Sequence, residues 1–445
     1  MKRLMGWGRV VALGAWCVGA WGVAQAALPI ERWVHDNGAQ VYWVRSEALP
    51  MVDVQVDVDG GSRRDPAAQA GLAAATASLL TKGVQVPGGG MEDENALAEA
   101  WADLGAQWSV QASSDRLSFR LRSLTQGDLL PRAVALAARQ LAHPAFPEPV
   151  WVRERERLVA AWQDAQTRPD TLAGRTFAQA VYGTHPYGRS AQPSTWAAID
   201  TAAMQGFYRR HARLCDARVT VVGRVERQQV NTLVGTLLAG WAGHGCAPLP
   251  TVPEVPPLAQ AQDTRLPFQA AQAQILVGQP GIPRADPDFL ALTLANHILG
   301  GGGFTSRLMR ELREQRGLTY GVYSYFSPGR HAGAFTVSLQ TRPDQAQEAT
   351  ALVHSVLRRM VAEGPTSEEL REAKASLVNG FPLRLDSNRK LLDNVAALAW
   401  NGLPLDYLDT WTTQVQAIPA DRVRQALQRV LQPDRLVTVV VGGAP

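Results

Sequence analysis

Arg313 and Tyr320 both carry donor side chains. A guanidinium offers a fork of N–H donors, and a phenol adds one O–H donor. Taken without context, the first reads as a solvated helix residue and the second as an ordinary strand residue. The other reactive side chains are less organised. The eight histidines are scattered, with no pair at ligand spacing on an expected helix, so no zinc site emerges from them. There is no G-x-S-x-G elbow, and Cys215 and Cys246 lack any nucleophile context. The glycine run Gly300 to Gly303 is not followed by the Lys and Ser/Thr of a phosphate loop, so it reads as helix termination and close backbone approach. His185 and Tyr187 lie in a turn-like HPYGR segment and read as structural. Most of the thirteen tryptophans read as core or interface packing.

These residues must be held by regular elements, and the sequence writes those elements twice. Val52, Val54, Val56 and Val58 alternate with Asp53, Gln55, Asp57 and Asp59, which gives a strand one apolar face. A helix is expected next, with Asp65 as N-cap, Pro66 at its first position, and Gly83 ending it after Lys82. In the second half a strand over 271–277 precedes Asp286, Pro287 and an apolar helix over 289–299. Both corners read G-x-x-R-x-D-P: Gly60, Arg63, Asp65 and Pro66, then Gly281, Arg284, Asp286 and Pro287, offset by 221 residues. Each half closes on a β-rich stretch, RVTVVG at Arg218–Gly223 and LVTVVVG at Leu436–Gly442. Such self-similarity indicates duplicated domains. The expected fold is α+β, with two homologous domains, each an antiparallel-rich sheet covered by helices. Their bounds are 27–244 and 268–445, joined by a Pro- and Ala-rich linker over 245–267.

The first 26 residues have the build of a secretory signal: basic Lys2, Arg3 and Arg9, an apolar stretch, and Ala24 and Ala26 before the cut. Export to the periplasm is expected, with no membrane span afterwards. The segment carries three cations and no acid, so its removal takes the formal net charge from +4 to +1. That leaves no electrostatic case for nucleic acid. With 445 residues, 46% hydrophobic and 19% charged, the chain can build more than one core. Cys215 and Cys246 either form one disulfide, worth roughly 3 kcal/mol, or stay as two buried thiols.

In order and spacing, VDVQVDVDGGS, GLAAATASLLTKG, VYGTHPYGR and GGGFTSRLMRELREQRGLTYGV resemble the pitrilysin or insulinase-type peptidases, which include the mitochondrial processing peptidase. Active members carry H-x-x-E-H directly after the G-L-A matched by Gly71, Leu72 and Ala73. Two histidines one turn apart ligate zinc and the glutamate activates water. Laid on this chain, the histidine positions become Ala74 and Ser78 and the glutamate becomes Ala77. The third ligand, a later glutamate, falls near Trp162 or Gln163. None of these is a competent ligand, so no metal and no catalytic residue is expected here.

The resemblance assigns Arg313 and Tyr320 to gripping the substrate backbone and polarising its scissile carbonyl. It thereby implies a division of labour, in which this chain binds peptide and a homologous partner bearing H-x-x-E-H supplies zinc, as a heterodimer or larger assembly. A peptide-binding or scaffold protein of the envelope, without turnover, is the alternative.

Overall fold

A computed structural model describes residues 28–241 and 247–442. The signal segment, Cys246 and part of the expected linker therefore lie outside the described residues. The first sheet contains β1 (Glu31–Val34), β2 (Gln40–Arg45), β3 (Met51–Val58), β6 (Gln107–Ala112), β7 (Leu117–Leu124) and β8 (Arg218–Gly223), in the order β1-β2-β8-β3-β7-β6. A small hairpin, β4 (Gly83–Gln85) with β5 (Met91–Asp93), stands apart. The second sheet contains β9 (Gln262–Leu266), β10 (Ala273–Pro280), β11 (Val322–Phe326), β12 (Ala334–Thr341) and β13 (Val437–Val441), in the order β11-β12-β10-β13-β9.

Apart from β1, the two sheets superpose strand for strand in pairing order, down to the register. Val54 of β3 sits between Val221 and Leu121, and Ile275 of β10 sits between Val440 and Leu339. Each sheet has one parallel pair, β2 with β8 and β9 with β13, and is otherwise antiparallel. β9 corrects one boundary. The segment read as linker ends in a strand, which lacks an apolar stripe because it is a sheet edge carrying the exposed Asp263–Arg265 pair.

The alternation in β3 suggests a strand polar on one side, yet Asp53, Gln55 and Asp57 are as buried as the valines between them. The reason lies in the other half. The helix Asn388–Asn401 packs across β3 and β8, and Arg120 of β7 reaches its Asp393 at 2.7 Å. Beneath it the polar residues satisfy one another. Arg122 grips both oxygens of Asp53 at 2.7 and 3.1 Å, while Asp57 accepts from Ser118, from Gln55 at 2.7 Å and from Arg116 at 3.2 Å.

The exchange is reciprocal, because the first-half helix Pro169–Tyr182 packs on β10 and β13 of the second sheet. Its Ala173, Phe177 and Val181 meet Leu276, Ala334, Val437, Val439 and Val441, an apolar seam where the first sheet has an ionic one. Gly278 makes room for this: a Cβ there would stand 2.9 Å from the Phe177 ring and 2.0 Å from the Phe335 carbonyl.

Burying a carboxylate under such a seam is tolerable only while its partners remain. Asp57→Ala is expected to lower unfolding free energy by about 2–4 kcal/mol, leaving Arg116, Ser118 and Gln55 short of an acceptor. Glu47→Ala, which removes only exposed pairs, should cost about 1 kcal/mol or less. Urea unfolding midpoints of the two variants check this.

Candidate functional site

The helix expected over 66–82 is broken in two ways. Residues Ser62–Arg64 and Ala67–Gln69 form 3₁₀ turns, and the α-helix runs only from Leu72 to Leu79. Gly71 has φ +102°, a left-handed conformation that stops the helix from extending backwards. Asp65 still caps this helix, from a distance. Its carboxylate accepts from the Gly71 N–H at 2.8 Å and the Ala73 N–H at 2.9 Å. Burial raises the Asp65 carboxyl to about 6, and the amides of Gly71, Ala73 and Leu72 offset only part of that.

On this helix Ala74 is exposed, Ser78 is half-buried, and Ala77 is 3% exposed within the first-half core. Ala74 and Ser78 therefore share a face one turn apart, and that face presents a methyl group and one neutral hydroxyl. Such a donor set does not fit zinc, which requires imidazole, thiolate or carboxylate donors. Among the described residues, no group of three His, Cys, Asp or Glu is placed to hold a metal ion.

Trp162 and Gln163 lie on the helix Glu148–Ala165, where Trp162 is half-buried under the Arg175 guanidinium at 5.3 Å and Gln163 is exposed. A different carboxylate of that helix, Glu154, feels Lys82, which follows the site helix. Counting along the chain did not single it out.

Glu154 and Glu94 are both already paired with cations. Glu154 pairs with Arg157 at 2.9 Å and Arg153 at 3.3 Å. Glu94 takes Arg153 at 2.7 Å and Lys82 at 2.8 Å, which hold its carboxyl down at about 2. A divalent cation would have to displace these fixed charges. Beside them lies a cleft of about 490 Å³ lined by Trp101, Trp108 and Gln140.

Arg313 and Tyr320 stand at the two ends of the turn that leads into β11, closed by hydrogen bonds from Gly317 N to Arg313 O and from Leu318 N to Leu312 O. Arg313 ends a π-helical turn, Met309–Glu314, and Tyr320 is 86% exposed. The Arg313 guanidinium lies 4.5 Å from the ring of exposed Phe304, which follows the glycine run. Tyr323 and Tyr325 of β11 are also exposed, so the four exposed Phe and Tyr rings among the described residues all fall between Phe304 and Tyr325 in the chain. Among the described residues, no hydrogen bond, ion pair or ring contact joins residues 74–78 to Arg313 or Tyr320.

The HPYGR segment joins the halves. The Tyr187 hydroxyl donates to Asp115 at 2.6 Å and accepts from the His331 N–H at 3.3 Å. His185 contacts Pro253 O at 3.0 Å, and its ring stands 5.3 Å from that of His331, whose Nδ1 meets Glu254 at 3.2 Å. Burial, with His331 adding to it, lowers the His185 pKa, and burial beside Asp115 raises that of Tyr187. Asp115, Glu254 and His331 come from loops without a motif. Cys215 is disulfide-bonded.

Residues 41–193 match the family described as insulinase, peptidase family M16, and residues 198–377 match the peptidase M16 inactive domain. The chain is similar to the crystal structure of a peptidase M16 inactive domain from Pseudomonas fluorescens, with 31% identity, coverage of 94% of this chain and 98% of that one, and a TM-score of 0.88. It is also similar to the periplasmic protease PqqL of Escherichia coli, at 17% identity and a TM-score of 0.78, covering 100% of this chain and 49% of that one. The non-peptidase homolog YmxG of Helicobacter pylori is 22% identical over 428 residues, 94% of this chain and 95% of that one. An uncharacterised zinc protease of Streptomyces coelicolor is 26% identical over 313 residues, 68% of this chain and 67% of that one.

Asp65 gives the site helix a pH signature. Its carboxyl titrates at about 6 when folded against 3.8 when not, so between these values the native state holds a proton that the unfolded chain has released. The contribution of this group to stability therefore falls as pH rises through 4 to 6 and is level above. Asp65→Asn keeps an acceptor and loses the titration. Urea midpoints from pH 4 to 7 should show wild type losing ground to the variant across that window.

Proposed function

This chain belongs to the M16, or insulinase-type, peptidase family, and we propose that it is a non-catalytic subunit, binding peptide for a zinc-bearing partner. One observation carries the reading: the helix face that zinc would require offers only Ala74 and Ser78, while in the other half Arg313 is half-buried and Tyr320 stands open to solvent. The partner would be a homologous chain carrying H-x-x-E-H. Zinc would be held there and not here, and would polarise the scissile carbonyl and lower the pKa of bound water.

The contribution of this chain is to hold the substrate. The Arg313 fork donates to main-chain carbonyls of an extended peptide, and the Tyr320 hydroxyl donates where negative charge develops on the attacked oxygen. A sheet edge suits such a peptide. Two sheet edges are guarded by charge, β1 by Glu31 and Arg32 and β9 by Asp263 and Arg265, whereas β6, beside the site helix, and β11 carry none. Extended or short substrates are favoured over folded ones.

Two relatives support the reading. The Helicobacter pylori homologue is named a non-peptidase, and this chain corresponds to about half of PqqL, a periplasmic protease, as expected if two such chains make one working unit. The signal read at residues 1–26 supports a periplasmic location, and no described helix is long and apolar enough to cross a membrane.

Purified alone, the mature chain is expected neither to retain zinc nor to cleave peptides. Adding the zinc-bearing partner should give chelator-sensitive cleavage, reduced about a hundredfold by Arg313→Ala or Tyr320→Phe. Stoichiometric zinc on the isolated chain, ligated around residues 74–78, would contradict the proposal.

A further inference from the structure

Trp400, near the end of the helix Asn388–Asn401, is 5% exposed but belongs to none of the three apolar clusters. Its neighbours are cations. The guanidinium carbons of Arg218, Arg116 and Arg330 lie 5.1, 5.5 and 5.9 Å from its ring centre. These residues come from separate elements: the turn between β6 and β7, the start of β8, and the loop between β11 and β12. The point is thus assembled only when both halves close.

Three guanidiniums around one indole repel one another, and the local compensation is incomplete. Arg116 meets Asp57 at 3.2 Å, so that carboxylate offsets one of the three cations. Among the described residues Arg218 hydrogen-bonds to the Asp216 carbonyl, at 3.4 Å, and its pKa is lowered by burial and by Arg330 despite the pull of Asp216 and Asp57. The Arg330 guanidinium has no hydrogen-bond or ion-pair partner among the described residues. Helix C-terminal carbonyls and the indole face attract cations, yet neither supplies a full negative charge. The Trp400 N–H is a second, independent sign: it is a buried donor without an acceptor. Buried donors are satisfied in the great majority of native structures, and this one belongs to the ring that the three guanidiniums surround.

We propose that Arg116, Arg218, Arg330 and Trp400 form an oxyanion-binding site at the seam of the two halves. Its ligand has the chemistry shared by inorganic phosphate and the free C-terminal carboxylate of a peptide: clustered acceptor oxygens with negative charge, suited to forked guanidinium donors. The site is distinct from Arg313 and Tyr320 and does not depend on a zinc-bearing partner.

Thermal unfolding of the full mature chain in phosphate, against chloride at matched ionic strength, tests this directly. A saturable rise in Tm with phosphate is expected, since a ligand that binds only the folded state stabilises it. Arg330→Met, on a surface loop, and Trp400→Phe, which keeps the ring but loses the N–H, should weaken the apparent phosphate affinity about tenfold or more. Arg342→Met, at an exposed arginine elsewhere, should leave it unchanged. A short peptide with a free C-terminus is then compared with its amide as competitor. Displacement by the free acid alone assigns the peptide terminus, and displacement by neither assigns phosphate itself. No saturable shift, or equal shifts in wild type and Arg330→Met, would overturn the site.

Discussion

The architecture depends on burying the polar face of β3 beneath a helix from the opposite half. Asp53, Gln55 and Asp57 cannot be left dry without partners, and the arginines of β7 and its preceding turn supply them. The helix Asn388–Asn401 then covers the pairs, with Arg120 tied to Asp393. In return the first half lends Pro169–Tyr182 to the second sheet. Neither half buries both faces of its own sheet. This interlock sets where the site helix, the Arg313–Tyr320 turn and the Trp400 seam stand relative to one another.

That dependence explains which features could be read from the chain alone. The valine alternation in β3, the repeated G-x-x-R-x-D-P corners and the paired closing strands are local patterns, and all appear at their expected places in two matching sheets. The fate of Asp57 is not local, because the element that buries it arrives more than 300 residues later. A shared motif also conceals divergent use. Arg63 is buried between Asp59 and Asp115, whereas the Arg284 guanidinium stands 3.7 Å from the centre of the Phe289 ring and donates to the Tyr407 hydroxyl.

The candidate site was legible in its residues more than in its geometry. Ala74, Ala77 and Ser78 are visible as chemical losses without any structure, since no backbone placement gives a methyl group a lone pair. The shortened site helix was hidden because only the positive φ of Gly71 breaks it. Glu154 was missed because which face of a long helix turns toward Lys82 depends on packing, not on residue counting. The HPYGR segment read as structural, and its contacts are of that kind: Tyr187 links Asp115 to the His331 N–H of the other half, and His185 meets the Pro253 carbonyl. Trp400 departs from the packing role expected of tryptophans, since cations surround it.

The account separates holding a peptide from cutting it, and a binding measurement on the isolated mature chain addresses that separation most directly. A fluorescently labelled extended peptide, followed by anisotropy, should bind reversibly, stay intact and bind equally well with a chelator present, and Arg313→Ala should weaken it. Absence of binding, or binding that disappears with the chelator, would contradict the account.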